Sequence, residues 1–187
     1  DDIIGMSPVK KLLAHLMVGF ILVVMGDIRV TSFHGLLGMD IELPEYGSYL
    51  ISIFVYIVIV NAINLVDGVD GLASGVGLIA TTSFGCWFAV SGDIHWALVA
   101  FSLSGALLGF LVFNFNPAKI FMGDSGSLII GAIISVLAIK LIESPTGFLE
   151  KYNLQFVSQP VLAMTILAYP LLDTLRVFSI RTARGKS

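Results

Sequence analysis

Asn61-Ala62-Ile63-Asn64-Leu65-Val66-Asp67-Gly68-Val69-Asp70-Gly71-Leu72-Ala73 puts two amides, two carboxylates and two glycines between two long apolar runs. An aspartate at the centre of a membrane helix costs about 2.5–3.5 kcal/mol on insertion scales, so such groups are rarely kept there without a task. The glycines let the backbone turn and leave N–H groups open to an anion. The stretch reads as a polar site at a membrane surface, joining two spanning helices. The chain is therefore expected to be an all-α polytopic membrane protein.

The composition agrees. Of 187 residues, 57% are hydrophobic and 12% charged, against about 25% charged in an ordinary soluble domain. Many separate apolar runs favour helices over a membrane barrel. A net charge of −3 gives no ground for a nucleic-acid partner. The one cysteine, Cys86, lies in an apolar run. It can form no internal disulfide and reads as a packed thiol. The chain lacks an initiator Met and is expected to be an internal piece of a longer protein, a single transmembrane domain over 1–187.

Working outward, the span before the polar stretch runs from Tyr49 to Leu65 and the one after it from Leu72 to Val90. Ser91-Gly92-Asp93 makes a tight turn into a fourth span, Trp96 to Phe113. A second polar stretch, Asn114 to Ser127, leads into a fifth span, Leu128 to Ile142. A sixth runs from Pro160 to Val177, and the first from Leu12 to Val30, with His15 inside it as a neutral side chain bonded to a neighbouring helix. Alternation in Met39-Asp40-Ile41-Glu42-Leu43 predicts a short strand or hairpin on the periplasmic side. Gly105/Gly109 and Gly71/Gly75 read as close helix contacts, and Asp173 with Arg176 as an i,i+3 pair.

Six spans put Asp1/Asp2, both polar stretches and the C-terminal tail on one face. That face carries Lys10, Lys11, Lys119, Arg176, Arg181, Arg184 and Lys186, seven of the ten basic residues. The positive-inside rule makes it cytoplasmic. The aspartates in unusual settings, Asp1, Asp2, Asp67, Asp70, Asp124 and Asp173, fall on the same face.

Asn61, Asn64, Asp67 and Asp70 are spaced by three. On a continuous helix each step turns about 300°, so neighbours share a face but Asn61 and Asp70 do not. Gly68 and Gly71 would loosen the helix and let both aspartates reach one pocket. Capping aspartates in a solvated loop are the plainer alternative. Asp124, flanked by Gly123 and Gly126, can cap the following helix or hold a hard cation. Mg²⁺ often takes only one or two carboxylates beside substrate phosphates and water, and helix starts suit phosphate. Asp1-Asp2, beside these clusters, looks like the remainder of a cation-assisted phosphoryl site.

Asp-Asp at a helix end, Asn-x-x-Asn-x-x-Asp-Gly-x-Asp-Gly-Leu-Ala and Asn-x-x-Pro-Ala-x-x-Phe-Met-Gly-Asp-x-Gly-Ser together resemble the polyprenyl-phosphate N-acetylhexosamine-1-phosphate transferase superfamily. The likeness covers essentially the whole chain and is strongest to bacterial undecaprenyl-phosphate N-acetylglucosamine-1-phosphate transferases, which begin envelope polysaccharide synthesis. It implies transfer of a sugar-1-phosphate from a UDP-sugar to undecaprenyl phosphate at the cytoplasmic face of the bacterial inner membrane, with release of UMP. It implies Mg²⁺, with Mn²⁺ as a substitute, and a homodimer as an option for assembly. By motif, Asp124 matches the metal-binding aspartate. Asp1, Asp2, Asp67 and Asp70 match the catalytic acids, the first two tied to activation of the lipid phosphate. Asn64 and Gly68 match the nucleotide pocket, with Asn114 and Phe121 near the uracil.

The family's histidine-rich loop after its ninth span has no counterpart before Ser187, so these 187 residues alone are expected to be inactive. Within the enzyme class the alternative is phospho-N-acetylmuramoyl-pentapeptide transfer. An ion-coupled transporter is the rival from another class, but its acids should lie near the bilayer midplane, not at span ends.

Overall fold

The computed structural model describes residues 8–36, 38, 41–145, 149 and 158–183. Helix α1 (Pro8–Phe20) runs on into a π-helical turn, Ile21–Met25. Then come α2 (Glu45–Val66), α3 (Leu72–Ser91), α4 (Ile94–Asn114), α5 (Gly123–Ile142), α6 (Gln159–Ile166) and α7 (Ala168–Ala183). Helices α2 to α5 have 20 to 22 residues each and are apolar enough to span. At 1.5 Å per residue each reaches about 30 Å, the thickness of a bilayer's hydrocarbon core. The all-α polytopic architecture is as expected.

The number of spans differs from the six expected. Among the described residues four single helices qualify, and five if α6 and α7 count as one broken span. The first apolar run yields only a shorter helix, Leu13–Met25. It stops because Gly26 and Asp27, with φ +49°, turn the chain away. The last run is bent by 74° between α6 and α7. Pro170 has no N–H for the Ile166 carbonyl, and its ring crowds that oxygen. Among the described residues the expected hairpin appears as the antiparallel bridge of Ser32 with Glu42, and no strand forms. Asp40 and Met39 lie outside the described residues.

Helix α3 packs along α4, and α2 along α5, around fully buried Ile63, Phe84, Phe88, Ile134, Leu137 and Leu141. The outer faces stay apolar as well: Leu50, Phe54, Ile79, Leu108 and Val112 are exposed, as a hydrocarbon solvent requires. Close approach occurs where the smallest residues meet a neighbour. A Cβ on Gly131 of α5 would stand 2.9 Å from the Val60 Cα of α2. A Cβ on Gly77 would stand 3.1 Å from Leu107. Of the expected pairs, Gly75, Gly105 and Gly109 do not serve this way, since a Cβ at any of them would meet nothing within 4 Å, whereas a Cβ at Gly71 would lie 3.5 Å from the Phe115 Cα at the end of α4. Cys86 is exposed rather than packed, because Phe84, Gly85 and Phe88 take the inward positions of α3.

The two ends of the bundle differ. At one, Glu143 closes α5 and accepts from the Thr31 N–H (2.8 Å), the Thr31 hydroxyl (2.6 Å) and His34 Nε2 (2.8 Å). Ser48 and Ser52 of α2 bond the Val30 carbonyl and N–H, pinning the same connector. The turn expected at 91–93 is here: Gly92 has φ +90°, and the Asp93 carboxylate accepts the Trp96 N–H. The other end carries the loops 67–71 and 115–122.

Candidate functional site

Helix α2 ends at Val66 and α3 begins at Leu72, so Asp67 and Asp70 stand in a five-residue loop. Gly71 adopts φ +73°, a left-handed turn that an L side chain rarely accepts. Gly123 does the same at φ +67° and opens α5, with Asp124 in its first turn. Negative charge is favoured there by the unpaired N–H groups of the helix start.

Asn64, in the last turn of α2, faces this helix start. Its Nδ2 donates to Asp124 Oδ1 at 3.2 Å and to Ser127 Oγ at 2.9 Å. Ser127 is fully buried and donates back to the Gly123 and Asp124 carbonyls. Its hydroxyl proton is thus used, so it must accept from Asn64, which fixes the amide nitrogen toward Asp124. Burial raises the pKa of Asp67 above the usual carboxylate value, the charge of Asp124 adds to this, and a hydrogen bond from the Gly123 N–H partly offsets both. A carboxylate in the loop after α2 and one in the first turn of α5 therefore feel one another across the end of α2.

Asp70 turns to the other loop. Its Oδ2 accepts the Ala118 N–H at 3.1 Å and faces Asn116 Nδ2 at 3.5 Å. Asn114 is 4% exposed. Its Oδ1 accepts the Gly71 N–H and the Ser74 hydroxyl, and its Nδ2 donates to the Ile120 carbonyl. Phe121 is 76% exposed beside Asp124 in sequence, and Gly68 is exposed too. Asn61 points away, with its amide on the Ile57 carbonyl of its own helix. Asp173 pairs with Arg176 at 3.7 Å on α7. Asp1 and Asp2 lie outside the described residues.

The structure thus brings Asn64, Asp67 and Asp124 together and ties Asp70 and Asn114 to the opposing loop. Sequence reasoning missed Ser127 and Ser74. Ser127 carried a signal, because it lies three residues after Asp124 on the same helix face. No group of three or more His, Cys, Asp or Glu side chains suited to a metal occurs among the described residues. Two mutually repelling carboxylates beside a helix start still fit a hard divalent cation whose other ligands are phosphate and water.

Taken together these features define a polytopic helical membrane protein with an acid-and-amide site between two loops at one end of the bundle. The chain belongs to glycosyl transferase family 4, whose sequence model matches residues 1–142. It is 34% identical over 201 aligned residues to the decaprenyl-phosphate N-acetylglucosaminephosphotransferase of Mycolicibacterium smegmatis, covering all of this chain and 49% of that protein. The Mycobacterium leprae protein of the same name is 33% identical, with 50% of its length covered. The phospho-N-acetylmuramoyl-pentapeptide-transferase of Bacillus cytotoxicus is 39% identical over 140 residues, 74% of this chain and 43% of its own. The chain spans about half the length of the curated relatives it matches. These relatives are members of the superfamily that the motifs resemble.

Proposed function

We propose that the full-length protein transfers a sugar-1-phosphate, N-acetylglucosamine-1-phosphate as the first choice, from a UDP-sugar to a polyprenyl phosphate, with release of UMP. The observation that carries this reading is the nearness of Asp67, in the loop after α2, to Asp124, in the first turn of α5, whose Oδ1 accepts from the Asn64 amide. An oxygen of the lipid phosphate attacks the sugar-bearing phosphorus. A new P–O–P linkage forms, the bond to the bridging oxygen of the donor breaks, and UMP leaves with that oxygen. Asp124, with Asp67 beside it, would hold Mg²⁺, which when bound supplies neutralisation of the diphosphate's charge. Asn64 keeps the Asp124 carboxylate in a fixed orientation. Gly68 leaves its backbone open to the donor, and exposed Phe121 offers a face on which a base can stack. Asp1 and Asp2 would orient or deprotonate the lipid phosphate. Lys119 in the loop 115–122 at this end, with the basic excess read from the sequence for this face, supports a cytoplasmic site in a bacterial inner membrane.

Coverage of the whole chain by the N-acetylglucosaminephosphotransferases, against 74% by the Bacillus pentapeptide transferase, favours the first donor. The test is UMP release by the full-length protein in detergent. Reactions hold polyprenyl phosphate and Mg²⁺ with either UDP-N-acetylglucosamine or UDP-N-acetylmuramoyl-pentapeptide. Metal-dependent release with one donor, reduced at least about a hundredfold in Asp124→Asn, is the expected result. Failure with both donors in a folded protein would overturn the proposal.

A further inference from the structure

Resting on the transferase reading, we infer that Ser127 is a positioning residue for the cation site: it holds the Asn64 amide against Asp124 and thereby sets the affinity for Mg²⁺. The first ground is valence. A hydroxyl has one proton, and that of Ser127 is shared between the carbonyls of its own turn, Gly123 at 3.1 Å and Asp124 at 3.3 Å. Toward Asn64 it can only accept. Both protons of Asn64 Nδ2 are then placed, one on Ser127 Oγ at 2.9 Å and one on Asp124 Oδ1 at 3.2 Å. An amide turned the other way would set its oxygen against a carboxylate and against a hydroxyl whose proton is committed. The amide therefore has one orientation.

The second ground is permanence. Asp124 is the carboxylate that would take the cation, and a cation claims oxygen lone pairs that otherwise accept N–H groups. Its bond to Asn64 is also the longer of the two. Ser127 is fully buried and fastened to backbone carbonyls, so its hold on Asn64 does not depend on the cation. A side chain as short as serine reaches α2 because the two backbones come close beside it. One turn further along α5, a Cβ on Gly131 would stand 2.9 Å from the Cα of Val60, which lies one turn before Asn64. Removing a group that orients a metal-binding side chain typically weakens metal affinity about ten- to a hundredfold.

The test uses the full-length protein with Ser127→Ala, Asn64→Ala, the double variant, and Ser135→Ala as control. Ser135 is another fully buried hydroxyl of α5, but its bond is to the Ala132 carbonyl of its own helix. Chelator-treated protein is titrated with Mg²⁺ and its melting followed, alongside the Mg²⁺ dependence of UMP release. In Ser127→Ala the Mg²⁺ concentration for half the effect rises about tenfold in both readouts. Because Ser127 acts through Asn64, the double variant matches Asn64→Ala within about twofold. Ser135→Ala stays close to wild type. Wild-type Mg²⁺ affinity in Ser127→Ala, an equal loss in Ser135→Ala, or a double variant weaker than Asn64→Ala by the full Ser127→Ala factor would each overturn the inference. If the wild type melts higher with Mg²⁺ but releases no UMP, the transferase reading falls and the melting titrations still decide the role of Ser127. If it releases UMP and neither readout responds to Mg²⁺, the transfer stands and the inference falls.

Discussion

Asn64 spends both protons of one nitrogen on two acceptors in α5, one of them Asp124, and the two neighbouring carboxylates sit in different surroundings. Asp124 receives an amide N–H, whereas Asp67 is held above its usual pKa by burial and by the charge of Asp124. For an acid whose pKa is raised in the folded state, the stabilising contribution is complete below the unfolded pKa. It is lost as pH rises through the folded value. Asp67→Asn should therefore raise the thermal midpoint of chelator-treated protein at neutral pH. The gain should shrink as the buffer is taken into the acid range, where wild-type Asp67 is itself neutral. The same substitution should abolish UMP release. Melting curves at several pH values check the first outcome, and a gain that grows in acid would contradict it. The nearness of Asp67 to Asp124 could be read from glycine-flanked acids at the ends of two spans on one face. The ties of Asn114 and Asp70 could not, because they join residues 43 to 48 positions apart and depend on how two loops dock.

At the scale of helices, the site rests on the crossing of α2 and α5, which carry Asn64 and Asp124. Gly131 marks that crossing, with room for no Cβ against the Val60 backbone. Gly131→Ala should push the two helices apart, cost about 1–3 kcal/mol of stability and lower turnover. Gly105→Ala, with open space around it, should leave both unchanged within error. Thermal unfolding and UMP release measured on the pair of variants would check this. Spacing alone pointed to Gly105 and Gly109, since four-residue separation records where a helix could be approached and not where a partner lies. The existence of α2, α3, α4 and α5 was legible because each is apolar over a bilayer's width. The break at Leu167 was less so, although Pro170 was in plain view. An apolar run by itself does not tell whether a proline is accommodated or bends the helix.

Across the whole molecule, the two ends of α5 do different work. One presents Asp124 and the other presents Glu143, on which Thr31 and His34 converge. Hydrogen bonds to a charged group contribute about 1.5–3 kcal/mol each, so Glu143→Ala should release the connector between α1 and α2. The expected readout is faster proteolysis within residues 26–44, with kcat within about twofold of wild type because the acidic loops lie at the far end. A large fall in kcat with the connector still protected would show that the ends are coupled. Sequence alone gives no sign of this role of Glu143, since its partners come from more than 100 positions away.

The outward-facing thiol of Cys86 gives this chain a built-in depth gauge. It is the only cysteine of these 187 residues, sits on an exposed face of α3 and follows the start of that helix by 14 residues. A single nitroxide placed there needs no substitution elsewhere in these 187 residues. Its relaxation by oxygen dissolved in the acyl chains, set against relaxation by a water-soluble nickel chelate, would report how far α3 is immersed. The bundle's seating in the bilayer would then be a measured length.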